Sequence, residues 1–318
     1  MARGNSFGTF IGWGRQTVLG TTVARTIFTS PLKEGLKLTQ PFFEGKELRS
    51  PTLGRMTRVG ARMSGGPATF TMSYTGLEVL LNDLLGTVVT STLGGGGKQH
   101  AFALATDTPS PGLSVEVYRR GAAFLYADCK INKGSFHFKP TEEVTVDIEF
   151  IGREETRVSA STPTYATIRP VTCDKITVLT VDGTTVDLDE LDVNVDNKMI
   201  VVPKLASLGG REPTRNAHRE VTGRLMKDFE DAAAAGIYDK FEKGALAALI
   251  VTCVGDVISG ADSFTFTLAA PKIQFTGETP GTDGPAVRKH TAPFRAIHDT
   301  TANAELTAAL IGDTATVI

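Results

Sequence analysis

The chain has 318 residues and nearly balanced charge, 33 Lys and Arg against 35 Asp and Glu, for a formal net charge of −2. That length exceeds the roughly 250 to 300 residues at which one hydrophobic core stops growing, so two domains are expected. The charge excludes a global basic field for nucleic acid and an acidic disordered tail, which leaves proteins as the expected partners.

Glycine supplies 33 residues, about one in ten against a usual ~7%, and Thr and Val are frequent. This composition favours a turn-rich β protein over a helical bundle. Cys129, Cys173 and Cys253 are odd in number, widely spaced and mostly set in apolar strand-like runs, as expected of free thiols in a reducing compartment. No apolar run approaches the ~18 residues of a membrane span, and MARGNSFGTF lacks a signal-peptide core. Synthesis and folding in a cytoplasm, without a membrane anchor, are the expectation.

Along the chain, residues 48 to 60, LRSPTLGRMTRVG, read as a long loop carrying Arg49, Arg55 and Arg58. Phe70, Met72 and Tyr74 then alternate with Thr69, Thr71 and Ser73, the period of a half-buried strand. Leu77, Leu80, Leu81, Leu84 and Leu85 follow at helical spacing, with Thr75 placed to cap the start and Gly86 the end. LGGGGKQH at 93 to 100 lacks both the first glycine and the Ser or Thr of a phosphate-cradling loop, and reads as a flexible connection. Strands follow in HAFALAT, GLSVEVY, FLYADCKI, GSFHFKP and EEVTVDIEF. In the last of these Val144, Val146, Ile148 and Phe150 alternate with Glu143, Thr145, Asp147 and Glu149, giving a core face and an acidic face.

Residues 161 to 172, STPTYATIRPVT, form the natural junction between domains 1–165 and 166–318. The second domain repeats the order of the first. A basic loop at 204 to 220 carries Arg211 and Arg215; a strand with Leu225 sets Asp228 and Glu230 in one register; and a short helix with Ile237, Tyr238 and Phe241 stops at Gly244. Strands AALIVTCVG and DSFTFTLAAPKIQF come next. The intervals Gly66 to Gly86 and Gly223 to Gly244 differ by one residue, and duplication of one fold accounts for the parallel. The expected architecture is mainly β, with two tandem β-sandwich domains each flanked by one short helix. The helices pack through Leu77, Leu80, Leu81 and Leu84 in the first domain and Ile237 and Phe241 in the second.

No chemistry emerges from the motifs. The five histidines show no metal-ligand spacing, no cysteine has a partner two to four residues away, and no nucleophile and base are placed together. No enzyme activity, cofactor or metal is expected.

The openings and helices of this series, GWGRQTVLGTTV, MSYTGLEVLLNDLLG and VTGRLMKDFEDA, with scattered glycines, resemble the tail tube proteins of long, flexible, non-contractile-tailed bacteriophages. The resemblance runs over most of the chain, in a version with a fused second copy of the fold. It implies a structural virion protein whose rings, three chains with pseudo-sixfold symmetry, stack into a tube. DNA and the tape measure protein pass through its lumen, terminator and tip proteins close its ends, and assembly takes place in the host bacterial cytoplasm. On this reading Glu143, Asp147, Glu149, Asp228 and Glu230 line the lumen and repel phosphate. Arg49, Arg55, Arg58, Arg211 and Arg215 then lie in loops that reach the next ring. Another ring component, such as a tail terminator or the tube of a contractile machine, a β-sandwich adhesin, and a hydrolase with converging distant residues remain open on the sequence.

Overall fold

The computed structural model describes residues 8–44, 57–165, 167–203, 210–229, 236–277 and 289–314. Apolar and polar side chains alternate along most of them, and strands dominate accordingly. The first half runs β1 (Phe10–Arg15), β2 (Ile27–Thr29), β3 (Lys33–Glu34), β4 (Lys37–Thr39), β5 (Phe42–Glu44), β6 (Thr57–Val59) and β7 (Met63–Thr71). Helix α1 (Glu78–Leu85) leads to β8 (Gly86–Thr92), β9 (Lys98–Leu104), β10 (Leu113–Arg119), β11 (Ala122–Phe138), β12 (Thr145–Gly152) and β13 (Glu154–Val158). The second half runs β14 (Ile176–Val181), β15 (Thr184–Thr185), β16 (Glu190–Asp196), β17 (Met199–Ile200), β18 (Thr214–Arg215) and β19 (Glu220–Asp228). Helix α2 (Ile237–Lys243) leads to β20 (Leu246–Ser259), β21 (Asp262–Phe275), β22 (Lys289–Ala296) and β23 (Thr307–Gly312).

The fold is mainly β, and its large sheet is antiparallel. A central ribbon crosses both halves in the spatial order β4, β7, β12, β11, β16, β19, β22, β21. The halves meet where β11 pairs with β16, from Lys133 opposite Asp196 to Phe138 opposite Leu191. The boundary expected near residue 165 falls in an extended link that touches Phe28 through Tyr165 and Ser73 through Pro170, while the sheet itself continues across.

Apart from the β8–β9 hairpin, which has no counterpart between α2 and β20, pairing order is the same in the two halves. β4 pairs with β7, β7 with β12, β12 with β11 and β11 with β10; β13 lies on the N-terminal part of β11, and β1 and β2 lie beyond β10. Correspondingly, β16 pairs with β19, β19 with β22, β22 with β21 and β21 with β20; β23 lies on the N-terminal part of β21, and β14 and β15 lie beyond β20. The likeness extends to side chains. Arg62 Nε donates to Gln40 Oε1 at 3.0 Å before β7, and Arg219 Nε donates to Asn197 Oδ1 at 2.6 Å before β19.

The buried face of the ribbon carries Phe70, Phe136, Val146, Ile148, Phe150, Leu191, Val193, Leu225 and Phe294. Each fully buried side chain of this size stabilises by ~1.5–3 kcal/mol before the entropy of ordering it is counted. In the first half this face packs on Trp13, Val115, Tyr126 and α1, with the Trp13 and Phe70 rings edge to face 6.0 Å apart. Leu77, Leu80, Leu81 and Leu84 are all buried, as their spacing predicts. Leu84 rests over Gly134, where a Cβ would stand 2.4 Å from its Cδ2.

Two local expectations are corrected. Thr75 does not cap α1: its hydroxyl donates to the Thr167 carbonyl at 3.0 Å, the N-cap is Leu77, and Glu78 Oε2 accepts from Gly76 N instead. Residues 93 to 97 are a tight hairpin turn between β8 and β9, closed by Leu93 N to Gly97 O at 2.8 Å, rather than a free connection. The two helices are not equally packed. α1 is buried nearly all round, Glu78 and Asp83 included, because β9 joins β23 and brings the β8–β9 hairpin over it, whereas α2 buries only Ile237 and half-buries Phe241. Both helices do end as expected, on glycines with left-handed backbones, Gly86 at φ 113° and Gly244 at φ 61°. The cysteines are free; burial pushes the Cys253 thiol up to about 12.

Candidate functional site

The other face of the ribbon is polar and continuous across both halves. Strand pairing aligns its residues in rows. One row runs Pro67, Glu149, Lys133, Asp196, Glu220; the next runs Thr69, Asp147, Ser135, Asn194, Thr222, Arg295; a third runs Thr71, Thr145, His137, Asp192, Arg224, Pro293.

Acids and bases interlock along these rows. Lys133 lies 3.7 Å from Glu149 and 3.8 Å from Asp196, bridging β12, β11 and β16. His137 does the same two rows away, at 2.7 Å from Asp192 and 3.3 Å from Asp147, while Thr69 Oγ1 donates to Asp147 at 2.5 Å. Arg224 reaches Asp192 at 2.6 Å and Glu190 at 3.2 Å, and Lys139 reaches Glu190 at 3.3 Å. Lys198 holds Asp196 and Glu220, each at 2.9 Å, and Lys289 holds Asp189 and Asp228, each at 2.7 Å. Partial burial raises the Asp192 carboxyl, but Arg224 and His137 outweigh it and hold the group below the ordinary carboxylate range. Arg224 itself is raised by its bond to Asp192.

The sequence-based candidates divide as follows. Glu143, Asp147 and Glu149 share this face, Glu143 accepting from Thr71 Oγ1 at 3.0 Å just before β12 begins. Asp228 lies at the exposed end of β19, on Lys289. Glu230, Arg49 and Arg55 lie outside the described residues, and of Arg58 only its place on β6 opposite Phe43 is described. Arg211 is exposed, with its N–H on the Val202 carbonyl. Arg215 turns inward and donates to the Thr106 carbonyl of the chain's own first half. Periodicity within EEVTVDIEF did not single out the bases. Lys133 and His137 sit in a separate strand, and only the β11–β12 register brings them beside the acids.

Among the described residues no cluster of three or more His, Cys, Asp and Glu could hold a metal ion, and no helix is long and apolar enough to cross a membrane. What the ribbon offers is an extended, wet, charge-paired wall.

A family model described as phage tail tube protein matches residues 6–296, nearly the whole chain. The chain belongs to the phage tail tube protein family. No curated protein matches it. Its role is therefore structural, as a tail tube component of the virion tail, in a non-enzymatic family whose members assemble with themselves into stacked rings.

Proposed function

We propose that three copies of this chain close into a ring of pseudo-sixfold symmetry and that the polar ribbon face lines its channel. In this reading residues 1–165 and 166–318 are two copies of one fold, and the observation that carries it is their shared pairing order, down to the Arg62–Gln40 and Arg219–Asn197 bonds. A sheet with two open ends is completed when the next chain supplies the missing neighbour, and a closed ring leaves no edge over. Each chain brings eight ribbon strands, so three chains give a wall of about 24 strands; at ~4.8 Å per strand it is roughly 115 Å around, wide enough for a DNA duplex once side chains are placed.

The charge pairing suits such a wall. A lysine or arginine grips phosphate by releasing counterions, but Lys133, Lys139, Arg224 and Lys289 are already held by carboxylates. DNA passing them meets acids at the same height and finds few free bases. The same channel would hold the tape measure protein during assembly, with terminator and tip proteins at the two ends and arms β5–β6 and β17–β18 reaching the adjacent ring.

Negative-stain images and native mass of the purified protein test this reading. Threefold rings or tubes with an open centre are expected; rings of six chains, or a protein that stays monomeric under all conditions, would refute it.

A further inference from the structure

At the mid-chain junction the root of one arm plugs into the other half. Asn197, fully buried, donates from its side-chain amide to the Leu84 carbonyl near the end of α1 and to the Ile131 carbonyl of β11, each at 3.0 Å. Two residues on, Met199 at the root of the β17–β18 arm is 5% exposed and donates its N–H to Asn132 Oδ1 at 2.7 Å. That N–H points out of the arm because Asn216 N bonds the Lys198 carbonyl, which makes Met199 and Arg215 a non-hydrogen-bonded pair.

The first half carries the same plug in the open. Gln40 holds the place of Asn197, as the matching bonds from Arg62 and Arg219 and the matching registers of β4 on β7 and β16 on β19 show. Two residues on, Phe42 lies opposite Val59, and Gly60 N bonds the Pro41 carbonyl at 2.8 Å, so the Phe42 N–H also points out of its arm. Gln40 is half-exposed and Phe42 is 62% exposed.

The second half carries the same socket, also in the open. Glu242 stands two residues before the left-handed Gly244, as Leu84 stands two before Gly86. Phe275 lies opposite Phe294 as Ile131 lies opposite Phe150, which puts Thr276 where Asn132 stands. Thr276 N bonds the Pro293 carbonyl, so the Phe275 carbonyl is turned away from β22. Leu84 and Asn132 are buried, but Glu242 and Thr276 are exposed. Lys130 is buried beneath Glu212 at 3.0 Å, but Gln274 in its place is half-exposed beside Leu246, itself 44% exposed.

We propose that Gln40 and Phe42 of one copy of this chain dock into the socket formed by Glu242, Phe275 and Thr276 of a second copy, repeating between chains the contact that Asn197 and Met199 make within one. The Gln40 amide donates to the Glu242 and Phe275 carbonyls, the Phe42 N–H donates to the Thr276 hydroxyl, and the arm lies over Gln274 and Leu246. The proposal rests on the ring reading above, which supplies the neighbour and its orientation. It gives the exposed end of α2 a partner of the kind that α1 finds in Asn197 of its own chain.

Gln40→Ala and Phe42→Ala test the plug, with Asn197→Ala as the internal comparison. Because Gln40 and Phe42 meet these partners only between chains, each variant should keep the melting temperature of the unassembled chain within about 2 °C while weakening ring formation about tenfold, read by sedimentation and negative-stain imaging. Asn197→Ala should lower the melting temperature instead, since its bonds lie within one chain. Placement is read directly by Phe42→Cys/Thr276→Cys in a Cys173→Ser background treated with a short bismaleimide. Cross-linked dimers and trimers are expected, with none from either substitution alone. Normal rings from both alanine variants, a Gln40→Ala chain that melts as early as Asn197→Ala, or rings that give no cross-links would each overturn this inference while leaving the ring reading intact. A wild type that forms no rings overturns both.

Discussion

Leu84→Ala tests the seat of α1 on the central ribbon. Leu84 is fully buried, and its methyl groups rest on Gly134, which has no side chain to move into the space they vacate. The helix cannot follow the hole inward, because Asn197 Nδ2 ties the Leu84 carbonyl and the Ile131 carbonyl together, each at 3.0 Å. The cost should therefore lie in the upper part of the range for buried leucines, about 4 kcal/mol. Gly134→Ala alone places a Cβ 2.4 Å from Leu84 Cδ2 and 2.9 Å from Cδ1, an overpacking worth ~1–3 kcal/mol. In the double variant the new methyl group occupies part of the new hole, so its cost should fall short of the sum of the singles by at least ~1.5 kcal/mol. The ribbon joins both halves through β11 and β16, so the chain should melt as one unit, at about 2 °C per kcal/mol for a protein of this size. Thermal melts followed by circular dichroism should give a drop of about 8 °C for Leu84→Ala and a recovery of ~3 °C relative to additivity in the double variant. Strictly additive shifts, or a drop under about 2 °C for Leu84→Ala, would show that α1 is not seated as described.

Asn197→Ala leaves the Leu84 and Ile131 carbonyls and the Arg219 Nε–H without their partner, and should cost about 2–3 kcal/mol in urea unfolding; a loss under ~0.5 kcal/mol would refute the tie. Burial lifts the Asp83 carboxyl to about 6 against the pull of Arg15 at 2.6 Å and of Lys130. A folded value above the unfolded ~4 means its favourable contribution is full below about pH 4 and lost as pH rises through about 6, so Asp83→Asn should flatten the melting temperature across that window; an unchanged profile would refute it. Glu143→Lys/Asp147→Lys/Glu149→Lys should assemble, since exposed pairs are worth only ~0.2–1 kcal/mol each, yet slow DNA ejection at low salt, because the new lysines stand beside Lys133 and His137 with no acid on β12 to hold them; normal ejection kinetics would show that the β12 face does not meet DNA.

Features set by neighbours in sequence were legible, and features set by pairing were not. The alternation in residues 143–150 marks β12 and its polar acids, and Gly86 and Gly244 mark the helix ends, because period and backbone freedom are local properties. Thr75 looked like a cap only because the chain 92 residues later, whose Thr167 carbonyl takes its hydroxyl, was out of view. Strand β8 was missed since GTVVTST is mostly exposed and lacks a clean apolar period; it is there to pair with β9, which in turn pairs with β23 of the far half. The acids of the polar face were visible one strand at a time, but their partners were not. Lys133 and His137 become their neighbours only in one register of β11 against β12 and β16. That dependence also runs the other way. A slip of one residue would turn Lys133 and His137 toward the core and bring Phe136 out to the polar face, so the ion pairs that in the proposed channel would keep this face from gripping phosphate are the same contacts that oppose any other alignment of the strands carrying it.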